Sequence, residues 1–168
     1  LTGNVFNSAG GIANVLGQVN GGVFNSGTVN LVGVTTGIGA VSQTGGTFNL
    51  AGISTTIGSL SGSGAVQLGA ATLNTGSNSS DTSFAGVISG SGGLTKTGSG
   101  TFTLSGVNSY TGLTTISGGT LTLANGGVIA GALQNNTLFT NNGTVQGLVT
   151  NLGILRSTGT LAGGLTNN

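Results

Sequence analysis

The sequence predicts an all-β protein folded as a parallel β-helix, a solenoid of about nine turns, each sixteen to nineteen residues long. Three observations lead to this prediction. Glycine fills 37 of 168 positions and charged residues only 2%, so the strong helix formers Glu, Lys and Arg are nearly missing. Short segments of alternating apolar and polar residues recur at nearly constant spacing. A repeat this short cannot enclose a core alone, so each one must stack on its neighbours.

The clearest internal repeat lies in the central stretch Gly90–Leu123. Within it, Gly93–Leu104 recurs as Gly112–Leu123, nineteen residues later, with seven of twelve positions identical. Each copy is a Gly-rich turn followed by Thr-x-Thr-Leu, an alternation typical of a half-buried strand. The repeat therefore predicts two turns stacked on each other.

Bulky residues recur through most of the chain. Near the N-terminus, Gly3–Ser8 returns as Gly21–Ser26 with five of six positions matching, a shift of eighteen residues. We interpret the bulky series as one core position per turn, and its single long step, from Phe24 to Phe48, as a six-residue insertion near Val32–Thr44. The members of the series are Phe6, Phe24, Phe48, Val66, Phe84, Phe102 and Leu121.

Short apolar runs lie between these positions and are bounded by turn-forming Gly, Ser, Asn and Thr. About three such strands per turn suit a small parallel β-helix. The most polar segment, Gly76–Ser83, contains the only acid of the chain, Asp81, and we predict a loop that protrudes from the solenoid there. Examples of the predicted strands are Val29–Val32, Thr55–Leu60, Ala65–Leu68 and Phe84–Ile88.

Towards the C-terminus the repeat shortens to sixteen residues. Leu133–Leu152 aligns with Val149–Asn168 through six identities and several conservative apolar exchanges. Shorter repeats predict a narrower solenoid with tighter turns. Either Phe139 or Val145 could follow Leu121 in the bulky series, and we favour Phe139.

Asparagines recur at matching offsets, as Asn7 with Asn25 and as Asn135 with Asn151 and Asn167. Such a stripe could bind a ligand through its amides. We favour a structural explanation, because Asn tolerates left-handed turn conformations and stacked Asn side chains hydrogen-bond to each other along a solenoid.

Almost no side chain is suited to catalysis. Asp81, Lys96 and Arg156 are the only charged residues; we expect all three to be solvated, and a surface pair of Asp81 with Lys96 would contribute little. Glycoside hydrolysis needs two carboxylates, a serine nucleophile needs a His or Lys partner, and Ca²⁺ needs several carboxylates. We therefore predict no enzyme activity, no cofactor and no metal site. Two cations are also too few for nucleic-acid binding or electrostatic attachment to a membrane.

Two further residue types have a functional interpretation. Tyr110, the sole tyrosine, could stack on a sugar ring, but we predict a packing role with its hydroxyl in water. Flat Thr arrays on β-helices can order water, which makes ice binding a minor alternative, although Thr is simply a good outward strand residue. The Thr-x-Thr pairs are Thr95/Thr97, Thr101/Thr103 and Thr120/Thr122.

The central stretch resembles the passenger-associated repeat of bacterial autotransporter proteins. Gly90–Gly106, Asn108–Gly112 and Gly119–Leu123 present in order the Gly-rich turn, Lys-x-Gly, Asn-x-Tyr-x-Gly and Gly-Thr-Leu elements of that family, over about a fifth of the chain. The resemblance implies a secreted passenger domain with a right-handed parallel β-helix. It also implies an outer-membrane barrel elsewhere in the parent chain, which carries the passenger to the cell surface. This chain has fewer acids than such passengers usually carry.

We therefore expect a single solenoid over residues 1–168, part of a longer chain, with irregular eighteen-residue turns in 1–89, the passenger-associated repeat in 90–124 and sixteen-residue turns in 125–168. The expected function is a rigid stalk or adhesin on the exterior of the bacterial outer membrane, with surface glycans, proteins or further copies of itself as partners. A self-assembling extracellular filament is the alternative, because turns without charged caps can stack end to end. No binding residue follows from the sequence.

Overall fold

In a computed structural model of the chain, residues 3–33 and 37–168 are described, and every regular element among them is a β-strand. The strands are short because a turn-forming residue follows each few residues of alternating sequence. In chain order they are β1 (Val5–Asn7), β2 (Ile12–Val15), β3 (Val23–Asn25), β4 (Thr28–Leu31), β5 (Ile38–Gln43), β6 (Thr47–Asn49), β7 (Thr55–Gly62), β8 (Ala65–Gln67), β9 (Leu73–Thr75), β10 (Thr82–Phe84), β11 (Ile88–Ser89), β12 (Leu94–Lys96), β13 (Thr101–Leu104), β14 (Val107–Asn108), β15 (Thr114–Ile116), β16 (Thr120–Leu123), β17 (Val128–Ile129), β18 (Leu133–Asn135), β19 (Leu138–Asn141), β20 (Thr144–Val145), β21 (Val149–Asn151), β22 (Ile154–Ser157), β23 (Thr160–Leu161) and β24 (Leu165–Asn167).

The strands pair in parallel and form three faces. Face one contains β9, β12, β15, β18, β21 and β24, and face two contains β1, β3, β10, β13, β16, β19 and β22. The long strands β5 and β7 belong to both, since β7 pairs with β9 through Thr55–Ile57 and with β10 through Gly62. Face three contains β2, β4, β6, β8 and β11, followed by β14, β17, β20 and β23. The predicted all-β parallel solenoid is confirmed, with about nine turns over the described residues.

The length of a turn changes along the solenoid. Val5 pairs with Val23, a shift of eighteen, and Leu133 pairs with Val149, a shift of sixteen, as the sequence repeats predicted. The longest steps among the described pairs, of twenty-two residues, join Gly62 to Phe84 and Val66 to Ile88, and both span the polar segment Gly76–Ser83. Steps of twenty and twenty-one residues, such as Leu94 to Thr114 and Val107 to Val128, also exceed the predicted range of sixteen to nineteen.

The hydrophobic core fills the inside of the solenoid. Strands such as β12, β15 and β21 bury their first and third residues and expose the second in part, because successive side chains point to opposite sides of a strand. Large side chains with no exposed surface include Phe48, Leu60, Leu73, Phe84, Tyr110, Leu121 and Phe139.

The predicted single series of bulky core residues is wrong. Phe6 and Phe24 stack on the outside of face two, with ring centroids 5.0 Å apart, and Phe6 is 74% exposed. Phe48 is buried in face three, on a different strand stack. The favoured continuation of the series from Leu121 to Phe139 is confirmed, because these two residues pair in the core of face two.

The predicted insertion near Val32–Thr44 also fails. Residues 34–36 of that range lie outside the described residues, but the strands on either side fix the length of the turn. Val23 pairs with Val41, again a shift of eighteen, and Val29 pairs with Phe48, a shift of nineteen, so neither step contains six extra residues beyond an eighteen-residue turn. The long step in the bulky series arose because it joined two phenylalanines that lie on different faces.

The predicted strand Phe84–Ile88 is divided by a corner, with Phe84 ending β10 and Ile88 starting β11. The central repeat is also stacked differently from its sequence alignment. Thr101 pairs with Thr120, a shift of nineteen, but Leu94 pairs with Thr114, a shift of twenty. The corner between β12 and β13 has four residues and the corner between β15 and β16 has three, which accounts for the difference.

Candidate functional site

Two ladders of amide side chains run inside corners of the solenoid. In the first, where face two ends, Asn7 Nδ2 donates to Asn25 Oδ1 and Asn25 Nδ2 donates to Gln43 Oε1, each at 2.9 Å. The second ladder lies where face one ends and has a hydrogen bond of 2.6 Å at each step. Its members are Asn135, Asn151 and Asn167. The predicted hydrogen-bonded ladder is confirmed.

The same amides also bind the main chain of the corners. Asn25 Nδ2 donates to the carbonyl of Gly27, and the Gly27 N–H donates back to Asn25 Oδ1, both at 3.0 Å. The expectation that these asparagines adopt left-handed turn conformations is wrong. Among the described residues other than glycine, those with positive φ are Ala51 and Ser79. The buried amides of Asn25, Asn135 and Asn151 thus close corners, whereas Asn167 in β24 is exposed.

Lys96 is buried, contrary to the expectation that it is solvated, with 1% of its surface exposed. Its Nζ donates to the main-chain carbonyls of Thr97, Gly98 and Gly118, the last two at 3.1 and 3.2 Å. Burial lowers the pKa of the ammonium because the charged form loses its water, and the negative charge of Asp81 opposes this in part.

The role of Lys96 matches that of an asparagine in the ladders. Asn25 Nδ2 donates to one carbonyl in its own corner, that of Gly27, and to one on the following turn, that of Thr47. Lys96 Nζ donates to carbonyls at the same two offsets, those of Gly98 and Gly118. Sequence reasoning missed this role, although a signal was present: a long polar donor followed by x-Gly at the end of a strand.

Tyr110 is buried completely, and its hydroxyl lies 2.6 Å from the Thr114 hydroxyl. The predicted packing role is confirmed, but the expectation that the hydroxyl stays in water is wrong. Burial raises the pKa of the phenol, because the phenolate would lie in an apolar interior, and the hydrogen bond to Thr114 opposes this only in part. Tyr110 is thus inaccessible to a sugar ring.

Asp81 lies at the end of the polar segment Gly76–Ser83 and is exposed, as predicted. The segment is fixed to the turns on both sides. The Asn78 N–H donates to the carbonyl of Gly58 on the preceding turn, at 3.2 Å. On the following turn, the Thr101 N–H donates to Asp81 Oδ1 at 2.6 Å. The segment is therefore an ordered loop.

An open depression on face two lies beside this loop. It brings the carboxylate together with four residues that bear hydroxyl groups on two neighbouring strands. The lining residues are Asp81, Thr82, Ser83, Thr101 and Thr103. This arrangement offers hydrogen-bond donors and acceptors with a single negative charge, and it lacks the second carboxylate that glycoside hydrolysis uses.

Outward hydroxyls continue from the depression along face two. Thr101 pairs with Thr120, and Thr103 pairs with Thr122, which gives a two-by-two array. Leu138 follows Thr120 on the next turn, so the two-by-two array spans two turns, although Thr140 continues the column of Thr103 and Thr122 by one more turn. Thr95 and Thr97 of the third predicted pair lie elsewhere, since Thr95 belongs to face one. Ice binding therefore stays a minor prediction, checked by thermal hysteresis of the chain and its loss in Thr101→Val with Thr120→Val.

Arg156 is exposed on β22, as predicted. Over residues 3–33 and 37–168 no three His, Cys, Asp or Glu side chains gather as metal ligands. The same residues include no helix with the length and hydrophobicity for crossing a lipid bilayer.

The fold defines the chain as a parallel β-solenoid. A family model described as the passenger-associated transport repeat matches residues 94–123, which run from β12 to β16 and make one full turn and part of the next. No curated protein and no solved structure matches the chain. The repeat and the solenoid together fit a β-helical segment of an autotransporter passenger, and this repeat family implies a secreted or cell-surface protein.

Proposed function

We propose that the chain is a rigid stalk or adhesive section of a passenger on the exterior of the bacterial outer membrane. The observation that carries the proposal is the position of the passenger-associated repeat, residues 94–123, within a continuous parallel stack. Strands of this segment pair with the turns before and after it. Such continuous pairing, supported by amide ladders in the corners, makes a stiff rod suited to holding a surface away from the cell.

The proposal includes no catalytic activity. Asp81 is the sole acid of the sequence and histidine is absent, so general acid–base chemistry would lack a second group. Lys96 donates to three carbonyls and is buried, which makes it a poor partner for a serine nucleophile. Surface glycans or proteins, rather than a turned-over substrate, are the proposed partners.

Display on cells tests this function. The chain would be placed between a secretion signal and an outer-membrane barrel, with an epitope tag at its N-terminal end. We expect antibody labelling of intact cells and increased adhesion to host cells or to each other. The matched control carries a Gly/Ser/Asn linker of the same length in place of the chain. Retention inside the cell would contradict the proposal as a whole, and adhesion equal to that of the linker control would contradict the adhesive role.

Self-assembly into extracellular filaments is a second proposal. The sequence has only one acid and two cations that could repel a neighbouring copy, and the ladder of Asn135, Asn151 and Asn167 repeats at every turn. Stacking between copies would reuse the same hydrogen bonds. Electron microscopy over a concentration series checks it: we expect fibres with a strand spacing of about 4.8 Å along the axis. Single short rods at every concentration would contradict it.

A further inference from the structure

The depression on face two is a polar site on the outside of the solenoid. Its side chains are hydroxyl groups and one carboxylate, and Ser83 and Thr103 alternate with the buried Phe84 and Phe102 on their strands. Asp81 Oδ1 accepts the Thr101 N–H, which leaves Oδ2 available. The hydroxyls of Ser83 and Thr103 form no hydrogen bond within the described chain.

The loop that forms one wall of the depression is held in place by close main-chain contacts. A methyl group on Gly98 would overlap the carbonyl oxygen of Gly76, and one on Gly100 would lie 2.5 Å from the carbonyl oxygen of Ser79. The Ser99 N–H also donates to Ser79 Oγ at 3.2 Å. Glycine at these two positions lets the loop rest directly on the next turn. The site is therefore preorganised, which lowers the entropic cost of binding.

The chemistry of the lining selects the ligand class. Hydroxyls that both donate and accept, beside a carboxylate that accepts, complement the vicinal hydroxyls of a sugar. Ca²⁺ is a poor fit because it takes six to eight oxygen ligands, usually from several carboxylates. Anionic ligands are disfavoured by the charge of Asp81, since the nearby Lys96 Nζ is turned inward and held by carbonyls.

We propose that this depression, formed by Asp81, Ser83, Thr101 and Thr103, binds a neutral saccharide. The outward stack of Thr103, Thr122 and Thr140 extends from it at one residue per turn. A linear oligosaccharide would therefore lie along the axis of the solenoid. The inference deepens the proposed adhesive function, on which it rests, by naming the partner class and the face that binds it.

The test uses the full chain labelled for nuclear magnetic resonance, titrated separately with cellotetraose, maltotetraose and mannotetraose. We expect at least one of these to shift the amide signals of Thr101 and Thr103. Thr103→Val should weaken binding about fivefold through the loss of one hydrogen bond, and Ser83→Ala should act in the same direction. Thr115→Val is the matched control, because Thr115 is an equally half-buried outward residue on face one; it should leave the affinity unchanged.

Three outcomes would overturn the proposal. These are the absence of binding by all three neutral sugars, shifts that persist unchanged in both Thr103→Val and Ser83→Ala, and equal or tighter binding of an acidic tetragalacturonate. Failure of the saccharide site and failure of the proposed function are distinguishable. If displayed chains still promote adhesion, and Thr103→Val adheres as well as the parent, the adhesive function stands without this site.

Discussion

Asn135 Nδ2 donates a 2.6 Å hydrogen bond to Oδ1 of Asn151, the asparagine one turn further along the solenoid. The same Nδ2 also donates to the carbonyl of Ile154 at 2.9 Å, and the Thr137 N–H donates to Asn135 Oδ1 at 3.2 Å. Asn135 has no exposed surface, so water cannot replace any of these partners. One side chain thus satisfies polar groups on two successive turns.

We expect Asn135→Ala to lower the free energy of unfolding by about 2–3 kcal/mol, because buried donors and acceptors lose their partner. Chemical denaturation followed by circular dichroism measures this change. The matched control is Asn136→Ala, at the neighbouring exposed position, where a surface substitution should cost within about 0.5 kcal/mol. Equal effects of the two substitutions would contradict a structural role for the ladder.

Substitution of Lys96 should lower the free energy of unfolding at least as much as substitution of a ladder asparagine. Lys96→Met keeps most of the side-chain volume but removes the donor for the carbonyls of Thr97, Gly98 and Gly118. We expect a loss of about 2–4 kcal/mol in the free energy of unfolding, measured by chemical denaturation. Arg156→Met, at the exposed cation, is the control and should change little. A Lys96→Met variant as stable as the parent would contradict this prediction and would show that water reaches the three carbonyls.

The lowered pKa of Lys96 gives a pH dependence with a definite sign. Between that lowered pKa and the ordinary value of 10.5, the unfolded chain binds more protons than the folded chain. The contribution of Lys96 to stability therefore rises with pH in this alkaline window. The difference in unfolding free energy between the parent and Lys96→Met, measured against pH, should grow in favour of the parent. A decline over the same window would contradict the lowered pKa.

Tyr110 should have the opposite effect at alkaline pH. Its pKa is raised by burial, so above the ordinary value of 10.0 the unfolded chain loses the phenolic proton while the folded chain keeps it. Stability then falls as pH rises, and Tyr110→Phe should remove this fall. Because Tyr110 is the sole tyrosine, ultraviolet absorbance of tyrosinate reports it directly. We expect tyrosinate to form only together with loss of the strand signal in circular dichroism; titration in the folded chain would contradict this.

The sequence predicted the solenoid because repetition constrains stacking strongly. The shift of sixteen places Asn135 beside Asn151 and Phe139 beside Leu155, as the structure has them. The sequence could not predict which face a residue occupies, because a recurring Phe has the same pattern on the outside of face two as in the core of face three. The prediction for Lys96 failed for a related reason. Its charge led us to expect a solvated side chain, but Lys96 is the third residue of β12, and that position points into the solenoid.

The proposed saccharide site was also beyond the reach of the sequence. Asp81 and Thr103 belong to successive turns, and only the lengthened turn brings the carboxylate beside the hydroxyls. The close approach of the loop depends on Gly98 and Gly100, which in the sequence look like ordinary turn glycines of the repeat. Positions within a turn can be predicted from repeats, whereas contacts between an irregular loop and the next turn depend on its length and backbone path.

The register of the central repeat can be tested with two leucines that its sequence alignment treats as equivalent. Leu94 starts β12 and is fully buried, whereas Leu113 precedes β15 and is 47% exposed. We expect Leu94→Ala to cost about 2–5 kcal/mol of unfolding free energy, the range for a buried leucine, and Leu113→Ala to cost within about 0.5 kcal/mol. Chemical denaturation of both variants measures the difference. Similar losses would mean that Leu94 stacks on Leu113 after all, with the whole of face one shifted by one residue, because a slip of one residue turns every side chain of a strand to the other side.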